Sequence, residues 1–201
     1  MEQQFQYYAF ISYKREDEKW AKWLQDRLRW YKLPSKLCRQ ITRLPKKVWP
    51  VFRDNTDLDS GRLEENIRHE LERSHYLIVI CSPEAARSPW VGKEVKYFAT
   101  LHGADKIIPF VVSGIPYSND IETECIHEQI KAISQEELLA INVREEGIGS
   151  FAMKKKRAFI RVVARLLDIK FNTLWQPYER ILRIRKWSTG IGVVFILIRF
   201  I

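Results

Sequence analysis

The chain has 201 residues, 46% of them hydrophobic and 29% charged, which is the balance of a folded globular protein, enough for one domain. Its net charge of +9 is unevenly placed: residues 150–201 hold 12 Lys/Arg against two acids, Asp168 and Glu179, whereas the first 149 residues hold 22 basic and 23 acidic groups. The main body is therefore balanced as an average, which argues against a nucleic-acid partner and moves the basic excess to the C-terminal segment.

In chain order, YYAFISY (7–13) is an aromatic-rich apolar run that predicts a buried strand. Asp17 then stands where a helix cap or first-turn acid belongs, and Trp20, Trp23, Leu24, Leu28 and Tyr31 recur at helical spacing as core residues. VWPVF (48–52) predicts a second strand, at a sheet edge because Pro50 cannot donate to a ladder. DNTDLDSG (54–61) is turn-rich, and LEENIRHELER (63–73) has the pattern of an amphipathic helix. HYLIVICS (75–82) is the most apolar stretch and predicts a central strand that includes Cys81. Ser88-Pro89 opens the next helix, the serine as cap and the proline at the first position. KIIPFVVS (106–113) and ELLAINV (137–143) predict the fourth and fifth strands, with a short helix around 122–131 between them and a long amphipathic helix over 152–169 after them. Cys38, Cys81 and Cys125 are odd in number and widely spaced, and MEQQFQYYAF has no signal-peptide pattern, so free thiols in a reducing cytosol are expected.

Strands that read as continuous apolar runs and alternate with helices predict a parallel sheet covered on both faces, an α/β three-layer fold. With a flavodoxin-like strand order of 2-1-3-4-5, assumed at this point, a ligand crevice lies between the first and third strands. Ser12, Tyr13, Lys14 and Arg15 follow the first strand, and Trp90 and Glu94 follow the third. No GxGxxG or GxxxxGK[ST] phosphate cradle is present, and the four histidines have no metal-ligand spacing. A phosphoryl-receiver site is disfavoured, because Asp54 follows the second strand rather than the third and no lysine ends the fifth.

FISYKRED, VFRDNTDLDSGRL, LIVICSPEAARSPWVGKEV and IIPFVV, in that order, resemble the Toll/interleukin-1 receptor (TIR) domain over roughly residues 5–170. The basic C-terminal stretch resembles bacterial members whose TIR domain is N-terminal. The resemblance implies one of two functions. The first is cleavage of NAD at the nicotinamide–ribose bond as a defence or signalling output, with NAD as substrate and no further cofactor or metal. The alternative is a non-catalytic interaction module in signalling.

The cleaving kind carries a glutamate in the helix after strand three, often as W-x-x-x-E, here Trp90 to Glu94. That makes Glu94 the implied catalytic residue, taken as an exposed carboxylate facing the crevice, with Trp90 bracing it. Lys14 and Arg15 match the family's basic pair and would engage the diphosphate or adenosine side, with Ser12 and Tyr13 in the same wall. Leu63 falls where some NAD-cleaving relatives carry an aromatic, and joins the substrate-binding set. The loop bearing Asp54, Asp57, Asp59 and Gly61 is the implied surface for self-association. The expected organisation is a TIR domain over 1–172, a basic linker over 173–187 and a hydrophobic tail over 188–201. Arg180, Arg183, Arg185, Lys186 and Trp187 before the apolar tail read as the foot of a membrane anchor, placing the domain on the cytoplasmic face.

Overall fold

The computed structural model describes residues 5–42, 44–45, 47–53, 61–133, 140–144, 149–177 and 179. Strand β1 (Ala9–Ser12) leads through a 3-10 turn (Arg15–Asp17) into α1 (Glu18–Trp30), α2 (Ser35–Gln40) and β2 (Val51–Arg53). Then come α3 (Gly61–Glu72), β3 (Leu77–Cys81), α4 (Pro83–Ala86) and α5 (Pro89–His102). A second 3-10 turn (Ala104–Lys106) precedes β4 (Ile107–Val111), followed by α6 (Glu128–Ile133), β5 (Ile141–Asn142) and α7 (Phe151–Leu166). A further helical stretch covers 171–177.

The five strands form one sheet in the order β2-β1-β3-β4-β5, and every pairing is parallel. The α/β three-layer arrangement and the strand order are those expected. Alternation along each strand divides the core in two. Ala9 and Ile11 of β1 and Ile78 and Ile80 of β3 pack with α1 and α7, whereas Phe10, Leu77, Val79 and Cys81 pack with α3, α5 and α6. Leu174 and Trp175 of the 171–177 stretch are buried in the first of these clusters.

Several boundaries differ from expectation. The edge strand covers 51–53 rather than 48–52, because Pro50 has no N–H to pair and contributes only its carbonyl, which accepts from Tyr8 N–H at 2.7 Å. Pro109 sits in β4, yet β5 pairs only with Phe110 and Val111, so the missing donor falls outside that short ladder. Helix α6 starts at Glu128 rather than near 122, because the Asp120 side chain takes the Glu122 N–H at 3.0 Å and closes a turn there. Helix α2 was not anticipated: its six residues are too few to show a period. Among the described residues no helix is long and apolar enough to cross a membrane, and the expected anchor at 180–201 lies outside them.

Candidate active site at the β1–β3 crevice

Helix α5 opens as its sequence requires. Ser88 Oγ accepts the Val91 N–H at 3.5 Å, and Pro89, which lacks an N–H to satisfy, takes the first turn. The next turn presents Trp90 and Glu94 on one stripe, four residues apart. Both line a groove of about 310 Å³ between α3 and α5, whose other walls include Ile67, Leu71, Arg68 and Tyr97. The Arg68 guanidinium lies 5.4 Å from the Tyr97 ring centre, and the Lys93 ammonium 5.8 Å from that of Trp90.

Glu94 is not the exposed carboxylate expected: only 5% of it is accessible. Ser12, at the carboxyl end of β1 and 1% accessible, donates its hydroxyl proton to Glu94 Oε2 at 2.5 Å. The parallel pairing of β1 with β3 thus brings together two residues 82 apart in sequence. Ser12 holds the carboxylate directly, a more specific place than a general wall of the crevice.

Tyr13, Lys14 and Arg15 are not among the described residues that line this groove. The Tyr13 hydroxyl accepts from Arg53 Nη1 at 3.0 Å, which ties it toward the β2 edge, where Arg53 also meets Glu18 at 3.2 Å. Lys14 is half-buried just ahead of the 3-10 turn, and Arg15, its first residue, is exposed. The backbone of Leu63 is in the first turn of α3, and Gly61 is that helix's first residue. Asp54, Asp57 and Asp59 lie outside the described residues.

Sequence reasoning missed a second buried carboxylate. Asp17 occupies the cap position of α1 but makes no capping bond; instead it accepts from Ser82 Oγ at 2.5 Å. Ser82, just beyond β3, accepts the Ala85 N–H at 3.0 Å with the same oxygen. Two serine–carboxylate bonds therefore run in opposite directions, Ser12 at the end of β1 to Glu94 of α5 and Ser82 just beyond β3 to Asp17 at the start of α1. Burial pushes the Asp17 carboxyl above its ordinary value of 3.8, with the Ser82 hydrogen bond pulling against it. A raised folded-state pKa means that the folded protein holds this proton more tightly than the unfolded chain. Asp17 thus costs stability as pH rises from 3.8 through its folded value, and the cost is constant above that. Asp17→Asn, whose side-chain carbonyl still accepts from Ser82, should remove that dependence. Urea melts at several pH values should show the variant at least as stable as the wild type at pH 7, with the difference vanishing in acid.

A third missed feature lies inside the motif. A Cβ at Gly92 would come within 2.5 Å of Cε1 and 2.7 Å of Nε2 of His127. His127 is buried, its Nδ1 accepts the Gln129 N–H at 3.1 Å, and burial lowers its pKa. The glycine in WVGKE is a space requirement, and a glycine inside a helix was the signal available in the sequence. Among the described residues no three His, Cys, Asp or Glu side chains are grouped to hold a metal. Burial raises the Cys81 thiol well above its ordinary pKa and pushes that of Cys125 up to about 12, so neither is poised as a nucleophile.

Three known proteins or families are similar to this chain. The NAD(+) hydrolase ApTIR of Actinoplanes sp. (strain ATCC 31044 / CBS 674.73 / SE50/110) is 36% identical over 110 residues, which are 54% of this chain but only 14% of that protein. The TIR domains of the activated Roq1 resistosome bound to the effector XopQ are 14% identical, with a TM-score of 0.49, covering 77% of this chain and 98% of theirs. The TIR domain family profile matches residues 9–146, from β1 to just beyond β5. By that match, which spans more than half of its length, this chain belongs to the TIR domain family.

Proposed function

We propose that this chain is an NAD nucleosidase that cleaves the nicotinamide–ribose bond, with Glu94 as its catalytic carboxylate. The observation that carries the reading is the buried Glu94, which lines the α3–α5 groove and is held by Ser12. The name of the Actinoplanes relative supports it. A volume of about 310 Å³ is at the small end of ligand sites and suits the nicotinamide–ribose half rather than the whole dinucleotide.

One carboxylate is enough for this chemistry. As the C1′–N bond breaks, its electron pair goes to the nicotinamide nitrogen, the ring leaves as a neutral molecule, and no acid need protonate it. Positive charge develops on the ribose, and a preorganised anion stabilises charge that exists only in the transition state. Water then adds at C1′ and loses a proton, giving nicotinamide, ADP-ribose and H⁺; attack by the adenine in place of water gives a cyclised isomer. Ser12 holds the carboxylate oxygen, Trp90 lines the ring side, and Leu63 stands at the α3 end. Lys14 and Arg15, with Tyr13 beside them, face the diphosphate or adenosine half from the end of β1. NAD consumption is then a defence or signalling output, with the C-terminal segment carrying the domain to the cytoplasmic face of a membrane.

A constitutive NAD-consuming enzyme would starve its own cell, so activation by self-association through the 54–61 loop belongs to the same reading. An asymmetric head-to-tail contact propagates into open assemblies. Specific activity should rise severalfold with protein concentration or on forced clustering, and Gly61→Pro should suppress that rise by fixing the backbone. Specific activity that stays flat across a wide dilution series in both proteins would show that the site is complete in a single copy.

A further inference from the structure

The near-neutral balance of the first 149 residues conceals a strongly basic block. Residues 19–53 contain eleven Lys/Arg and a single acid, Asp26. The structure places α1 and α2, which carry much of this block, in one layer with α7. Arg27, Arg29, Lys32, Arg39 and Lys47 are all exposed there. Trp30, in the last turn of α1, is 75% accessible, and the Arg29 guanidinium lies 5.5 Å from its ring centre and 5.7 Å from that of Trp49.

The charge continues onto α7, whose residues 154–165 hold six Lys/Arg and no acid. Lys155 lies over the Trp20 and Trp23 rings of α1 at 4.4 and 4.1 Å. Burial, and then the charge of Arg27, push Lys155 and Lys156 below the ordinary ammonium value, so α1 and α7 feel each other's cations. Next along α7, Arg157 sits over Trp175 at 5.3 Å, and the Trp175 indole N–H donates to Glu179 at 2.6 Å. In sequence, Asp168 and Glu179 are the only acids between α7 and the stretch of four cations, Trp187 and the apolar run 188–201.

Like charges gathered at this density repel, which costs folding energy and suits an anionic partner. We propose that the α1–α2–α7 face docks on an anionic lipid surface. An exposed tryptophan flanked by arginines suits the headgroup level of a bilayer. A polybasic face and an apolar segment on one chain supply the two signals that stable membrane attachment takes. The groove holding Glu94 belongs to the opposite layer, with α3 and α5, so docking leaves it open. The inference is independent of the enzymatic reading, and Glu94→Gln protein would serve equally well in its test.

The test is flotation of the full chain with vesicles of phosphatidylcholine alone or with added phosphatidylglycerol. Binding should be strong only on the anionic vesicles and should collapse as salt shortens the screening length toward ~3 Å at 1 M. Combined Arg27→Glu, Arg29→Glu, Lys32→Glu and Arg39→Glu should weaken binding to anionic vesicles at least about a hundredfold, since each cation near such a surface contributes about fivefold. NAD turnover in solution should be unchanged. Should the four-fold variant fold poorly, the glutamine set at the same positions and the salt titration of the unmodified chain decide the matter. Equal binding to both vesicle types would assign all attachment to the apolar tail and overturn the proposal. Wild-type-like binding by the charge-reversed chain would overturn it too, as would displacement from vesicles by duplex or single-stranded nucleic acid at matched charge.

Discussion

Glu94→Gln should lower the rate of nicotinamide release from NAD by at least about 10²-fold, the usual cost of removing a charge aimed at a transition state. The substitution is chosen for what it keeps. A glutamine carbonyl can still accept from Ser12 Oγ, so the hydrogen bond between β1 and α5 survives while the negative charge does not. The melting temperature should therefore stay within a few degrees of wild type. Glu94→Ala separates the two roles from the other side. It should be as inactive, but it also strips a buried hydroxyl of its partner, at about 1–3 kcal/mol, or several degrees for a domain of this size. Nicotinamide production followed by chromatography alongside a thermal melt reads both quantities. Turnover by Glu94→Gln above roughly a tenth of wild type would remove the carboxylate from the chemistry and leave the interaction-module reading in its place.

Gly92→Val should be the most damaging single substitution in the candidate motif, and for steric reasons alone. The first carbon of any side chain here would sit 2.5 Å from the His127 ring, and His127 is only 7% accessible. The ring cannot swing into solvent without uncovering α5 and releasing the Gln129 N–H it accepts. Overpacking of this kind costs about 1–3 kcal/mol or more, lowering the melting temperature by roughly 2–12 °C. The cause is testable by coupling. Gly92→Ala and His127→Ala should each destabilise, yet together they should cost at least about 1 kcal/mol less than their sum, because the second removes what the first collides with. Additive costs would mean that the glycine serves backbone geometry and not clearance.

These two residues also mark where a sequence becomes unreadable. Trp90 and Glu94 are legible because they share one helix, and the helix announces itself through Ser88 and Pro89. The sheet was legible for a similar reason: each strand is a local apolar run, and parallel order follows from the helices between them. Ser12 was placed at the crevice, but its bond to Glu94 was not foreseen, since it depends on the register of two strands 65 residues apart. Asp17 is legible as the cap position of α1, but its bond to Ser82 is not, because a cap and a cross-strand acceptor look alike in one dimension. The basic face was hidden by averaging. Eleven cations in 35 residues vanish into a balanced total when the compensating acids lie elsewhere in the chain.

The crossed bonds, Ser12 to Glu94 and Ser82 to Asp17, have a kinetic meaning. Neither can form until β1 and β3 have paired in register, a contact between distant parts of the chain and slow to nucleate for that reason. Helices α1 and α5 can begin to coil early from local contacts, but the carboxylate on α5 has no housing until that closure is complete. A chain still emerging from the ribosome therefore cannot assemble the proposed site until residues through α5 have been made and have found β1. The same long-range closure would make assembly of the proposed site one of the last events in refolding.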